Sequence, residues 1–440
     1  MKQIFSYLLG LLVISPLFLS VGCTGDSANK GKGKKKEEVA PAPAEVKISN
    51  LHFFLENSGS MAGYLNGGTE FKNIITNLAT VLNGTQKTGG LKIYTISEKL
   101  EPYPGDHTKF IKDIATVPMA NKKSSEMHKI FEQLAKSTGA NDVTIFASDC
   151  ILSFPDVDIK KNPRVNIENA PSTLRSYMKD VFQKFQKQGL VASMYAFQSQ
   201  FNGTYFDYKN TKIPLTGKNR PFYIWVLGKK DYVQKVNDLL HKENSFQPMK
   251  EIHFGMSNEA IKNYAVVPSL AMGKQYKVLT PYKEVSEFEV TKTKPQDVFI
   301  ALNLNGLDGY MQDAKYLQSN LSFPAGGKVT ASVVAVKPIL DWVGNIKNVK
   351  ERDLVQSQFT HIVQLKVAQM VGTKADLEML LPYKSDNWYE GWSVMDDSNI
   401  KTETAPKTFA FVHLVGGIKE AYQMNNTMEN ILSVKIPFSK

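Results

Sequence analysis

From Val46 to Leu240, short strand-like runs alternate with apolar residues at helical spacing. No other feature restricts the fold of this chain as strongly. Val46 to Leu55 reads as a strand. Within Glu70 to Leu82, the residues Phe71, Ile74, Ile75, Leu78, Val81 and Leu82 fall on one face of a helix, with Asn83-Gly84 as its stop. Leu91 to Ile96 reads as a strand and Thr108 to Ala115 as a short helix. Met127, Ile130, Phe131 and Leu134 predict a helix over Glu126 to Lys136, and Val143 to Ala147 is a short buried strand that runs into Ser148-Asp149-Cys150. Ser172 to Gln188 places Leu174, Tyr177, Met178, Val181, Phe182 and Phe185 on one helical face. Leu190 to Gln198 and Phe222 to Leu227 are strand-like, Asn202-Gly203 between Phe201 and Tyr205 predicts a hairpin turn, and Asp231 to Leu240 is helical. Strands interleaved with helices predict an α/β fold, a doubly wound, mostly parallel sheet with helices on both faces.

Beyond about residue 245 the texture changes. Val298 to Leu304, Val329 to Val336, His361 to Val367 and Ile431 to Ile436 are strand-like. A chain of 440 residues exceeds one ordinary core, so residues 46–245 and 246–440 are read as two domains, the second β-rich and of sandwich type. Thr408 to Tyr422 carries a helical face of Phe411, Leu414, Val415, Ile418 and Tyr422, but Gly416-Gly417 weakens it. The aromatic run Trp388-Tyr389-Glu390-Gly391-Trp392 reads either as a sugar-stacking platform or as a core or interface anchor.

The N-terminus decides how the formal charge of +11 is understood. Lys2 precedes an apolar stretch from Ile4 to Leu19, which ends in Ser20-Val21-Gly22-Cys23. This is a signal-peptide layout, too short to span a membrane. Its end resembles a bacterial lipobox, with Ser20 where that family usually has Leu. The resemblance implies cleavage of residues 1–22 and lipidation of Cys23. Residues 23–45 hold Gly-Lys alternation, a lysine run and Ala-Pro repeats, the composition of a flexible tether. An exported basic protein does not point to nucleic acid. Its charge suits anionic lipid headgroups, surface glycans or an acidic partner. With Cys23 lipidated, Cys150 has no partner and is expected to be buried. Thr24 is not the Asp that resembles an inner-membrane retention signal, so outer-membrane anchoring is favoured.

Open α/β sheets bind ligands at the carboxyl ends of their strands. Glu56-Asn57-Ser58-Gly59-Ser60-Met61 follows the first strand, and Asp149 follows a later one. These residues carry a resemblance to the von Willebrand factor A domain over about Val46 to Leu240. That family's metal-ion-dependent adhesion site has Asp-x-Ser-x-Ser in its first loop, a Thr before a helix in its second, and an Asp after an apolar strand in its third. Here Glu56, Ser58 and Ser60 match the first loop and Ser124 or Ser125 the second. Asp149, with Cys150 in the usual glycine position, matches the third.

The resemblance implies Mg²⁺ (or Mn²⁺ or Ca²⁺) held by Glu56, Ser58, Ser60, Ser124 and Asp149, and a partner protein that offers an exposed acidic residue. Hydroxyl ligands leave such an ion under-neutralised, which suits it to recruiting one more oxygen. Glu56 departs from the family's Asp by one methylene. Without a cation the same residues are a Gly-Ser turn, a helix-capping serine and a carboxylate bonded to backbone amides. Ser58 as a hydrolase nucleophile is a further alternative, but the Gly-x-Ser-x-Gly elbow is absent around it, and the seven histidines lack metal spacing. The expected function is therefore binding, adhesion or envelope assembly rather than catalysis.

Overall fold

The computed structural model describes residues 47–85, 91–122, 126–151, 170–256, 260–279, 281–305, 307, 309–383, 387–423 and 430–440. Residues 1–22, the tether 23–45, Cys23 and the pair Ser124 and Ser125 lie outside the described residues. The chain from Val46 to Lys440 is one compact unit.

The first sheet has seven strands in the order β3-β2-β1-β4-β6-β5-β7. They are β1 (Asn50–Glu56), β2 (Lys92–Ile96), β3 (Leu100–Pro102), β4 (Asp142–Ser148), β5 (Leu190–Phe206), β6 (Lys212–Lys229) and β7 (Lys250–Phe254). β1 lies between β2 and β4 and is parallel to both. Alternation along β1 explains its central place. Leu51, Phe53 and Leu55 enter the core on one face, and Phe54 enters the core on the other.

Helices cover both faces. α1 (Glu70–Thr85), α2 (His107–Thr116) and α5 (Lys230–Leu240) bury Phe71, Phe110 and Val233 against one face. α3 (Met127–Ser137) and α4 (Ala170–Lys187) bury Phe131 and Phe182 against the other. Asp106 starts α2, its side chain accepting from the Lys109 amide at 2.8 Å.

The structure corrects several expectations. Only β2, β1 and β4 are neighbours in parallel; β3, β6, β5 and β7 pair antiparallel to theirs, although β5 runs in the same direction as β1. The sheet is therefore mixed, because β5 and β6 form one long hairpin rather than two crossover units. Asn202-Gly203 is not its turn. The strands pair on past it from Phe201 to Phe206, with a register shift between Phe201 and Gly203, and the chain reverses at Asp207–Thr211. Gly203 is needed for close packing, since a Cβ there would stand 2.8 Å from the Gly63 Cα. α1 runs through Asn83-Gly84 rather than stopping there. Tyr177, expected on the buried face of α4, is 45% exposed and sits against His128.

Two further four-stranded sheets build the β-rich part. They draw on β8 (Tyr264–Val266), β9 (Lys277–Leu279), β10 (Glu284–Ser286), β11 (Gln296–Leu302), β12 (Val329–Pro338), β13 (His361–Met370), β14 (Lys374–Pro382) and β17 (Asn430–Ser439). The orders are β14-β17-β10-β9 and β12-β13-β11-β8, and both sheets feed one core through residues such as Leu377, Ile436, Ile300 and Val363.

The boundary suggested near residue 245 is crossed twice. β7 pairs with β5 beyond it. Residues 388–423, which include the short pair β15 (Ser393–Val394) and β16 (Thr408–Phe409) and helix α6 (Phe411–Gln423), return to the first sheet. There Trp388, Tyr389, Phe411, Leu414 and Ile418 join Phe131 and Trp225 in one core, so the aromatic run is buried as an anchor. Gly417 permits this return, because a Cβ there would collide with the Arg175 carbonyl of α4. Among the described residues no helix is long and apolar enough to cross a membrane.

Candidate functional site

β1 and β4 end side by side at the carboxyl edge of the parallel strands, with Leu55 opposite Ala147. Glu56 is the last residue of β1 rather than the first of the loop. The Asn57 amide donates to Ile96 at 3.0 Å, which keeps the chain aligned one residue further. The loop then bridges to the segment before α3. The Gly59 amide donates to the Lys122 carbonyl at 2.9 Å, and the Lys122 amide to the Asn57 carbonyl at 3.1 Å. A short 3-10 helix, Gly59–Gly63, follows, and the Phe201 ring lies where a Gly63 side chain would be.

Three of the expected site residues are joined by hydrogen bonds. Ser58 Oγ donates to Glu56 Oε1 at 2.6 Å and lies 3.0 Å from Ser60 Oγ. Ser148 Oγ donates to the other carboxyl oxygen, Glu56 Oε2, and accepts from the Cys150 amide at 2.8 Å. Asp149 Oδ1 accepts from the Ile151 amide at 3.1 Å. Asp149 Oδ2 and Asn57 Oδ1 are buried without a hydrogen-bond partner among the described residues. Cys150 turns the chain with φ of 54°, a left-handed conformation that favours glycine, and its thiol accepts from Trp225 Nε1 at 3.4 Å.

Ser148 was not singled out by sequence reasoning. Its signal was a hydroxyl in the last position of β4, directly before Asp149. Ser124 lies outside the described residues, as does Cys23. Lys122 shows that the segment leading to Ser124 enters beside Ser58.

The electrostatics follow from burial. Glu56 is 3% exposed and Asp149 1%. Burial, and then the charge of Asp149, push the Glu56 carboxyl up to about 8, against the opposing bonds from Ser148 and Ser58. Burial also raises Asp149, while Ser60, the Ile151 amide and the Arg220 guanidinium favour its charged form. Two buried carboxyls that repel each other favour neutralisation of one, by a proton or by a metal ion.

The donor set fits a hard cation in chemistry. It offers two adjacent hydroxyls and an unpartnered carboxylate oxygen, with Glu56 as anchor of the Ser58 hydroxyl. Among the described residues no group of three or more His, Cys, Asp or Glu side chains is placed to hold a metal ion, so an ion here would rest largely on hydroxyls. Compared with protein-family models, with curated proteins and with solved structures, the chain matches none.

Proposed function

We propose that this chain is an exported, lipid-anchored binding protein whose first sheet is a von Willebrand factor A-like domain, acting in adhesion or as a scaffold of an envelope assembly. The observation that carries the reading is the buried, unpartnered Asp149 Oδ2 beside the Ser58–Ser60 hydroxyl pair at the carboxyl edge of the parallel strands. The order β3-β2-β1-β4, which follows that of a doubly wound sheet, supports it.

Ser58, Ser60 and Asp149 would hold Mg²⁺, Mn²⁺ or Ca²⁺, with a Ser124 hydroxyl from the neighbouring segment. Glu56 keeps Ser58 in place and carries the second negative charge. When bound, such an ion supplies an electrophilic point that takes a carboxylate oxygen from an acidic residue of a partner protein. Cys23 and the tether 23–45 attach the folded unit to a membrane, the outer membrane being favoured, at a distance from which a second protein can be reached.

A cation-free reading has one observation in its favour. Both Glu56 oxygens already accept serine hydroxyls, so the carboxyl is bonded within the protein without an ion. Partner contacts would then lie elsewhere on the chain.

Calorimetric titration with Mg²⁺, Mn²⁺ and Ca²⁺ separates the two. Saturable binding that disappears in Asp149→Ala supports the cation site. A flat titration of the unaltered protein leaves only the cation-free reading.

A further inference from the structure

The β-rich part presents apolar side chains that its own packing does not use. Of the large apolar side chains exposed among the described residues, the two most exposed both lie there, Met272 at 97% and Leu340 at 78%. Val349, at 56%, is a third. Each sits at a turn. Met272 comes just after the 3-10 turn Pro268–Leu270, Leu340 lies inside the 3-10 turn Ile339–Asp341, and Val349 opens the helix Val349–Gln358.

Hydrogen bonds and ring contacts bring these turns together. Glu351, in the first turn of that helix and buried, accepts from the Ser269 amide at 3.0 Å and from the Ser269 hydroxyl at 2.7 Å. Lys274 Nζ reaches back to the Pro268 carbonyl at 3.2 Å. The Trp342 ring, directly after the Leu340 turn, meets the Phe299 ring edge-on with centroids 5.3 Å apart, and the Val267 amide donates to the Phe299 carbonyl at 2.8 Å. The three apolar tips therefore stand on neighbouring segments of one surface. Buried Glu351, Ile339 and Ile346 hold those segments while the tips stay outside.

A lysine accompanies every tip. Lys274 is beside Met272, Lys337 beside Leu340, and Lys347 and Lys350 flank Val349, all of them exposed. Lys337 Nζ lies 5.3 Å over the Trp342 ring. Between residues 337 and 350, Asp341 is the one acid in the sequence, against three lysines.

We propose that this surface docks onto a bilayer rich in anionic lipid, with the tips entering the interface and the lysines meeting headgroup phosphates. Interfaces between proteins are depleted of lysine, above all at their apolar centre. Lipid suits the pairing of tip and lysine, because the aliphatic stem follows the tip while the ammonium stays among the headgroups. Trp342, half-buried and between Leu340 and Val349 in the chain, is of the residue type that collects at membrane–water interfaces. The surface owes nothing to Cys23 or to the cation site. A tether limits only distance, whereas docking here also fixes which way the folded unit faces.

The test uses residues 46–440, the compact unit, so that neither the lysines of 23–45 nor an acylated Cys23 contributes. Association is measured by sedimentation with vesicles of phosphatidylglycerol and phosphatidylcholine in equal parts, beside vesicles of phosphatidylcholine alone. Binding to the anionic vesicles that weakens at high salt is expected. The chain's net positive charge produces some general attraction, so the variants carry the decision. Lys337→Gln and Lys350→Gln should each weaken binding about fivefold, and Leu340→Asn about tenfold. Lys136→Gln on α3 and Val117→Asn after α2 make the same kinds of change at exposed positions elsewhere and should leave binding unaltered.

Failure of the unaltered unit to sediment with anionic vesicles would overturn the proposal, as would equal losses in the Lys136 and Val117 variants. Binding to poly-glutamate but not to vesicles would also overturn it, and would give the surface to an acidic protein.

Discussion

Ser148 donates to Glu56 across two adjacent parallel strands, joining residues 92 positions apart. The two lie on the pair of strands whose ends form the site, so this bond fixes the carboxyl of one against the loop of the other. Ser148→Ala removes a donor to a buried acid and the acceptor of the Cys150 amide. The expected loss is about 1–3 kcal/mol of unfolding free energy by urea denaturation. A change within 0.5 kcal/mol, of about the size seen for surface substitutions, would show that the bond contributes little.

Glu56 gives the protein a pH dependence opposite to that of ordinary carboxylates. Its folded-state value of about 8 lies above the ordinary 4.5. Between these the folded state binds more protons than the unfolded one, so stability falls as pH rises through that window. In metal-free buffer, Glu56→Gln should flatten the decline, and saturating Mn²⁺ should reduce it in the unaltered protein. Melting temperatures across the pH range read both effects.

His253 acts with the other sign in the acid range. Burial lowers its imidazole to about 4, and its Nδ1 lies 2.7 Å from Ser193 Oγ. The unfolded chain protonates first, near 6.5, so stability falls as pH drops from 6.5 towards 4. His253→Gln should be less sensitive to acid over that window, whatever its stability at neutral pH. An acid limb of the same steepness would assign the loss to other groups.

Gly417→Ala tests the return of the C-terminal helix. Alanine in a helix is favoured over glycine by about 1 kcal/mol. Here the added methyl meets the Arg175 carbonyl, a backbone atom that cannot turn aside. Overpacking of this kind costs about 1–3 kcal/mol, so net destabilisation is expected. A rise in melting temperature would show that α6 shifts freely on α4.

The helices were legible because each buries one stripe, as Met127, Ile130, Phe131 and Leu134 do on α3. Glu56, Ser58 and Ser60 were legible as a group because they stand at alternate positions where β1 ends. Strand direction was not, since alternation along β6 is the same whichever way its neighbour runs. Asn202-Gly203 misled because glycine serves tight packing as well as turns, and only the approach of Gly63 distinguishes the two uses. Arg220 could not be found locally, because it nears Asp149 only through the pairing of β6 with β4, and Asp397 meets Tyr205 only through the return of a segment 192 residues beyond it.

That return sets an order of events when the chain is made. The face of the first sheet carrying Phe54, Phe146 and Trp225 is finished by Phe411, Leu414 and Ile418. Until those residues emerge, everything from β1 to β16 is already present, with that face only partly covered, by α3 and α4. A nascent chain stalled before α6 presents an apolar surface to whatever chaperone or neighbour is at hand, and a truncation near residue 245 produces the same unfinished surface permanently.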